Sequence, residues 1–164
     1  MRIKRTLTLP MVAIALIAIA AVLAGAGFLG YKTYEYDQLD QARESSVAAA
    51  RTTVESMFSY DFKTVDDKLP KVADNLTPGF RGDYLKLVTE AIAPGAKEKQ
   101  LTVQASSQAG GVISAGTERA EVLLFLNQIT TSKDKPEATT SGSRVKVELE
   151  KDGDRWLVAE VTPI

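Results

Sequence analysis

The order of hydrophobic patterns predicts an α+β fold. Helical spacing fills the chain from about residue 35 to 98, and strand alternation fills it from about 100 to 162. Three observations carry this reading. Val47, Ala50, Val54, Met57 and Phe58 recur at helical intervals, with Arg43, Glu44, Arg51 and Glu55 on other faces. Arg144 to Lys151 alternates, with Val145, Val147 and Leu149 on one face and Arg144, Lys146 and Glu148 on the other. Asp152-Gly153 then separates that run from a second alternating one, a strong two-residue hairpin signal. Helices followed by an antiparallel meander call for two or three helices packed on a strongly curved sheet of about four strands.

The first element lies before this domain. Thr6 to Tyr31 carries no charge, and as a helix it spans about 39 Å, more than the hydrocarbon core of a bilayer at about 30 Å. Arg2, Lys4 and Arg5 stand directly before it, and acidic residues follow soon after Lys32. Basic flanks stay in the cytoplasm, so the expected topology is single-pass, N-terminus inside and C-terminal domain outside the cytoplasmic (inner) membrane, in the periplasm. Ala24-Gly25-Ala26 resembles a signal-peptide cleavage site, but the apolar run exceeds the usual span of about 7–15 residues, which favours an uncleaved anchor. Ala21/Gly25 and Ala26/Gly30 are small-xxx-small pairs of the kind that let membrane helices approach. The expected divisions are a basic tail over 1–5, a transmembrane helix over 6–31, a juxtamembrane helix or linker over 32–41, and a periplasmic α+β domain over 42–164.

Composition limits what that domain does. The chain holds 20 Lys and Arg against 21 Asp and Glu, and the three basic residues before the anchor leave the remainder mildly acidic. No basic stripe with interleaved aromatics is present, which argues against nucleic acid. The chain has no Cys and no His, which excludes Ser-His-Asp and Cys-His catalysis, thiol redox chemistry and ordinary zinc sites. An exported domain without disulfides folds on its core alone.

A first domain helix is expected from Glu35 to Tyr60, closed by Tyr60-Asp61-Phe62-Lys63. Thr64 reads as an N-cap with Asp66 and Asp67 in the first turn, opening a short helix to Asn75 that Pro70 weakens. Thr77-Pro78 opens another, with Phe80, Tyr84, Leu87, Val88 and Ile92 on its apolar face and an end at Pro94-Gly95. Lys97-Glu98-Lys99 reads as a solvated helix end. Leu101 to Ala105 begins a strand, Gly110-Gly111 reads as a turn or bulge, and Val112-Ile113 resumes. Arg119 to Thr131 is the strongest strand, and Ser132 to Ser143 reads as a polar loop. Arg155 to Thr162 closes the hairpin, with Trp156 and Val158 on one face and Leu157, Ala159 and Val161 on the other.

Several words match a family. Ser59-Tyr60-Asp61-Phe62-Lys63-Thr64-Val65-Asp66 resembles the SYDY-R-T-x-D segment of Mce-associated membrane proteins, small single-pass actinobacterial accessory proteins of Mce lipid-import systems. Gly79 to Tyr84 is similar to their G-F-R-x-E-Y turn, with Asp83 where Glu is common. Ala120 to Gln128 resembles their central strand, and Arg144 to Val147 with Asp152 to Val158 their closing hairpin. Pro70 departs from the usual continuous helix. The resemblance implies a cone-shaped nuclear-transport-factor-2-like domain. It also implies an accessory role, stabilising or assembling an Mce complex that carries fatty acids or sterols, with transporter proteins and permease subunits as partners.

Tyr60, Phe80, Tyr84 and Trp156 are the candidate site residues, read either as core aromatics or as the lining of a lipid-holding mouth. Asp61 with Asp66 and Asp67, or Asp83 with Arg81, offers carboxylates to a fold that hosts isomerases. Acids at helix starts are favoured ionised, however, which suits capping better than acid–base work. No catalytic, cofactor-binding or metal-binding residue is nominated, and the expectation is a non-enzymatic protein. Its bound surroundings are the bilayer and, if the domain is itself a carrier or sensor, a lipid in an apolar cavity of several hundred Å³. An assembly factor of a type IV secretion-like machine is the third reading.

Overall fold

The computed structural model describes residues 37–164. The expected membrane helix, its determinants Arg2, Lys4 and Arg5, and the junction at 32–36 lie outside the described residues. Among those described, no helix is long and apolar enough to cross a membrane.

A helix, α1, occupies 37–58. Ala42, Ser46, Ala50, Thr53, Val54 and Met57 are its buried stripe, at the three- and four-residue intervals that keep one face inward. Ser46 and Thr53 fit because small hydroxyls satisfy themselves within a helix, as the Ser46 Oγ does on the Arg43 carbonyl at 3.0 Å. Beyond it Tyr60–Asp61 forms a two-residue strand, β1, paired with Val103 and Thr102. This segment, expected only to end the helix, thus adds a fifth strand.

Helix α2 covers Val65–Val72 and runs into a 3₁₀ turn at Ala73–Asn75. Thr64 takes the N-cap place, but its side chain makes no capping bond, and its buried hydroxyl has no partner among the described residues. Pro70 is accommodated within the helix, losing one backbone bond, because Leu69 and Val72 are anchored in the core on either side. Helix α3, Pro78–Leu87, begins as expected: Thr77 Oγ1 accepts the Phe80 N–H at 3.4 Å and proline stands at the first turn.

The expected stop at Pro94-Gly95 is corrected. The chain passes through a π-helical turn at Val88–Ile92 and continues as α4, Ala93–Lys99. The Ala93 N–H reaches back five residues to Val88, and the wider turn gives the Pro94 ring room that a regular turn denies it. Burial of Val88, Ala93 and Ala96 holds this segment helical past the proline. The real end is Gln100, left-handed at φ 50°, with the Leu101 N–H on the Ala96 carbonyl at 2.8 Å.

Strands β2 (Thr102–Ala115), β3 (Arg119–Thr131), β4 (Thr139–Asp152) and β5 (Arg155–Pro163) complete one antiparallel sheet in the order β1-β2-β3-β4-β5. The meander is as expected, and β3 has the expected limits. Gly110-Gly111 is neither turn nor bulge; both lie inside β2, whose irregularities fall beside Gln108 and Ile113. Gly110 is there for close approach: a Cβ would lie 2.6 Å from Leu124 Cδ2 and 3.7 Å from Val47 Cγ1. Strand β4 begins five residues before Arg144, because Thr139 to Ser143, though polar and loop-like in composition, pairs with Leu126 to Thr130. The hairpin turn is Gly153-Asp154, with Asp152 paired to Arg155 and Gly153 at φ 60°.

The expected facing of β5 is also corrected. Val158 pairs with Leu149 and Val161 with Val147, so four residues of β5 oppose three of β4. The bulge at Ala159 turns Val161 to the same face as Val158. The core lies on that face, where Val122, Leu124, Val145, Val147, Leu149 and Val158 meet Val54, Val65, Leu69, Leu76 and Tyr84 from the helical half.

Candidate functional site

Between the helical segments and the end of β5 is an apolar cleft of about 380 Å³. The C-terminal turn of α1 contributes Met57 and Phe58, β1 contributes Tyr60, and α3 contributes Phe80, Asp83, Tyr84 and Leu87. Ile92 arrives from the π turn and Val161 from β5. Met57 and Tyr84 are buried, Phe58, Tyr60, Phe80, Ile92 and Val161 are half-buried, and Leu87 is 53% exposed. Among the described residues Asp83 is the one charged residue in this lining.

Local structure explains the placement. The chain leaves α1 straight into β1, which brings Phe58 and Tyr60 together on the cleft. Phe80, Tyr84 and Leu87 are spaced at four and three residues along α3, so they share one face. The Tyr84 hydroxyl donates to the Leu69 carbonyl at 3.3 Å, which ties α3 to α2. Burial pushes that hydroxyl up to about 12. Burial also raises Tyr60. The Tyr60 hydroxyl has no hydrogen-bond partner among the described residues.

Three of the four candidate aromatics therefore converge. Trp156 does not: its indole Nε1 donates to Ser45 Oγ at 2.9 Å, and Lys151 Nζ lies 5.6 Å from its ring centre. It joins β5 to α1 within the core. Leu87, Ile92 and Val161 belong to the cleft without having been singled out for it. Leu87 and Ile92 were visible as helix-face positions, whereas Val161 reaches the cleft only through the bulge at Ala159.

The carboxylates have structural work. Asp61 accepts the Lys63 backbone N–H at 2.8 Å and the Thr102 hydroxyl at 2.9 Å. These bonds, the Lys63 amide first, hold its carboxyl below the usual carboxylate range. Asp66 pairs with Lys97, joining α2 to α4. Asp67 is exposed in the first turn of α2. Arg81 turns away from Asp83, donating through Nε to the Ala73 carbonyl at 2.9 Å and lying 3.8 Å from Asp74. Among the described residues no group of three acidic, His or Cys side chains is placed to hold a metal ion.

Residues 7–162 match the family described as "Uncharacterized protein Rv1363c/MT1408-like". The chain is 37% identical over 145 residues to the Mycobacterium tuberculosis protein named outer membrane protein Rv1973, covering 88% of this chain and 89% of that protein. It is 32% identical over 164 residues to Rv1362c of the same organism, covering 98% of this chain and 74% of that one. Among solved structures it is similar to an IcmL-like type IV secretion system protein of Legionella pneumophila, with a TM-score of 0.60 at 12% identity over 72% of this chain and 90% of that one. CagV of Helicobacter pylori, a VirB8 homologue, gives 0.58 at 11% identity over 71% and 94%. An NTF2-like superfamily protein of Salmonella enterica gives 0.52 at 10% identity over 74% and 91%. At such identities these likenesses show the fold, an α+β domain of the NTF2-like kind.

Proposed function

The chain belongs to the Rv1363c/MT1408-like family, and on that premise we propose that it is a membrane-tethered, non-enzymatic accessory subunit that stabilises or assembles a larger complex in the cell envelope. The observation that carries this reading is the joining of two parts. An uncharged run long enough to span a bilayer precedes a domain whose fold recurs in proteins named as type IV secretion components. The name of the relative at 37% identity, an outer membrane protein, supports membrane association. The non-enzymatic part is supported by the carboxylates: Asp61 is held ionised by local bonds, and Asp66 and Arg81 serve inter-helix contacts.

The finer form of the proposal is service to an Mce-type importer of fatty acids or sterols, with the Mce proteins and their permeases as partners. It rests on the SYDF segment, the Gly79 to Tyr84 turn and the closing hairpin. A second reading, an assembly factor of a secretion-like machine, is favoured by the structural neighbours, whose likeness extends over about seven-tenths of the chain.

Crosslinking tagged full-length protein in its own membrane, extracting it gently and identifying partners by mass spectrometry separates these. Recovery of Mce proteins and permeases supports the importer reading. Secretion ATPase and channel proteins support the second. Recovery of neither, under conditions that keep both complexes intact, overturns the accessory role. Fractionating the same membranes tests the expected inner-membrane location against the outer-membrane one in the relative's name.

A further inference from the structure

The cleft beside α3 is too specifically built for a gap in packing. Its wall is mostly apolar, from Met57 and Phe58 through Phe80, Leu87 and Ile92 to Val161. A half-enclosed pocket of about 380 Å³ lies within the range of small-molecule sites. Two polar groups interrupt the apolar lining. One is the Asp83 carboxylate, which accepts hydrogen bonds and repels anions. The other is the Tyr60 hydroxyl, able to donate and accept, and without a partner among the described residues.

We propose that this cleft binds an uncharged, hydroxyl-bearing single-chain lipid, its hydrocarbon along Met57, Phe80, Leu87 and Val161 and its hydroxyl toward Asp83 and Tyr60. The chemistry follows from complementarity. A lipid hydroxyl donates to a carboxylate and accepts from a phenol, so both groups are used. A fatty-acid carboxylate meets Asp83 with like charge and, among the described residues, no compensating cation in the lining. The cleft therefore discriminates against free fatty acids. Hydrocarbon alone leaves the half-buried Tyr60 hydroxyl covered and unpaired, which costs affinity. The proposal is independent of the accessory role, since a subunit that assembles nothing can hold such a lipid, and an assembly subunit can leave the cleft empty.

The test uses full-length protein in its membrane and two photoreactive probes of equal chain length, a diazirine-bearing monooleoylglycerol and the matching oleic acid. The expected result is crosslinking of the glycerol probe to peptides containing Met57, Phe80 or Leu87, competed by unlabelled monooleoylglycerol about tenfold better than by oleate. Leu87→Glu places a charge at the exposed rim and is expected to abolish that labelling. Asp83→Lys is expected to reverse the preference toward the fatty acid. Both residues are exposed, so the fold survives the changes, and native mass spectrometry of the unmodified protein provides a second readout as retained neutral lipid. Equal competition by oleate, labelling confined to peptides outside the cleft, or labelling unchanged in Leu87→Glu overturns the proposal. Capture of a protein at Leu87 with no lipid labelling overturns it too, and assigns the cleft to a partner's side chain.

Discussion

The Trp156 indole N–H donates to Ser45 Oγ at 2.9 Å, joining the last strand to the first helix across 111 residues of sequence. Ser45 also donates to the Gln41 carbonyl at 2.6 Å, so its hydroxyl is already oriented when the indole reaches it. Ser45→Ala removes both bonds, of which the one to Gln41 is exposed to water, and is expected to cost about 1 kcal/mol, chiefly through the lost indole bond. Trp156→Ala empties a buried position as well and is expected to cost about 3–5 kcal/mol. Urea denaturation of both variants checks the ranking. Equal losses would mean that the indole contributes through its hydrogen bond and little through its bulk.

Gly110 and Gly111 are neighbours with opposite requirements. An added Cβ at Gly110 meets Leu124 Cδ2 at 2.6 Å, whereas at Gly111 it meets nothing within 4 Å. Leu124 is fully buried and has no open side to move toward. Gly110→Ala is therefore expected to destabilise by about 1–3 kcal/mol through overpacking. Gly111→Ala should stay within about 0.5 kcal/mol of the parent. Thermal unfolding of the pair decides it.

The central strand was legible to the residue, whereas β4 begins five residues before its alternation and the hairpin turn lies one residue later than Asp152-Gly153. Arg119 to Thr131 and the hairpin around Gly153 carry their own period and their own turn chemistry. The misses have a common cause, a local signal overruled by distant packing. Pro94-Gly95 reads as a stop, but Val88, Ala93 and Ala96 are buried, and a π turn resolves the conflict. Thr139 to Ser143 reads as loop, but the polar end of β3 offers backbone partners that composition does not reveal. Of the cleft lining, Tyr60, Phe80 and Tyr84 stood out in the sequence because aromatics near helix ends are conspicuous. Val161 was hidden because one bulge at Ala159 reverses its face, and single-residue bulges leave little trace in alternation.

Asp61 links β1 to the chain on both sides, through the Lys63 amide and the Thr102 hydroxyl. Its folded-state pKa lies below the ordinary value, so the unfolded chain takes up its proton first as pH falls. The stability it supplies is complete above the ordinary carboxylate range and is lost as pH drops through the folded value. Asp61→Asn should lower the melting temperature at pH 6–7, and the gap to the parent should close toward pH 3. A gap that stays constant over that range would assign the effect to geometry and not to ionisation.

Tyr84 gives the opposite limb of the profile. Burial raises its hydroxyl to about 12 from the model-peptide value of 10.0, so the folded state keeps a proton that the unfolded chain gives up. Its contribution is present below pH 10 and is lost as pH rises from 10 toward 12. Alkali therefore destabilises the parent in that window. Tyr84→Phe cannot ionise, and its stability curve should be flatter there by the Tyr84 share, with Tyr60, raised in the same direction, supplying part of the remaining slope. At neutral pH the same variant loses only the 3.3 Å bond to the Leu69 carbonyl, about 1 kcal/mol. Urea midpoints taken between pH 7 and 11.5 separate the two effects. Parallel curves for parent and variant would mean that the phenol reaches solvent in the folded state, and that the floor of the cleft is wetter than its apolar lining requires.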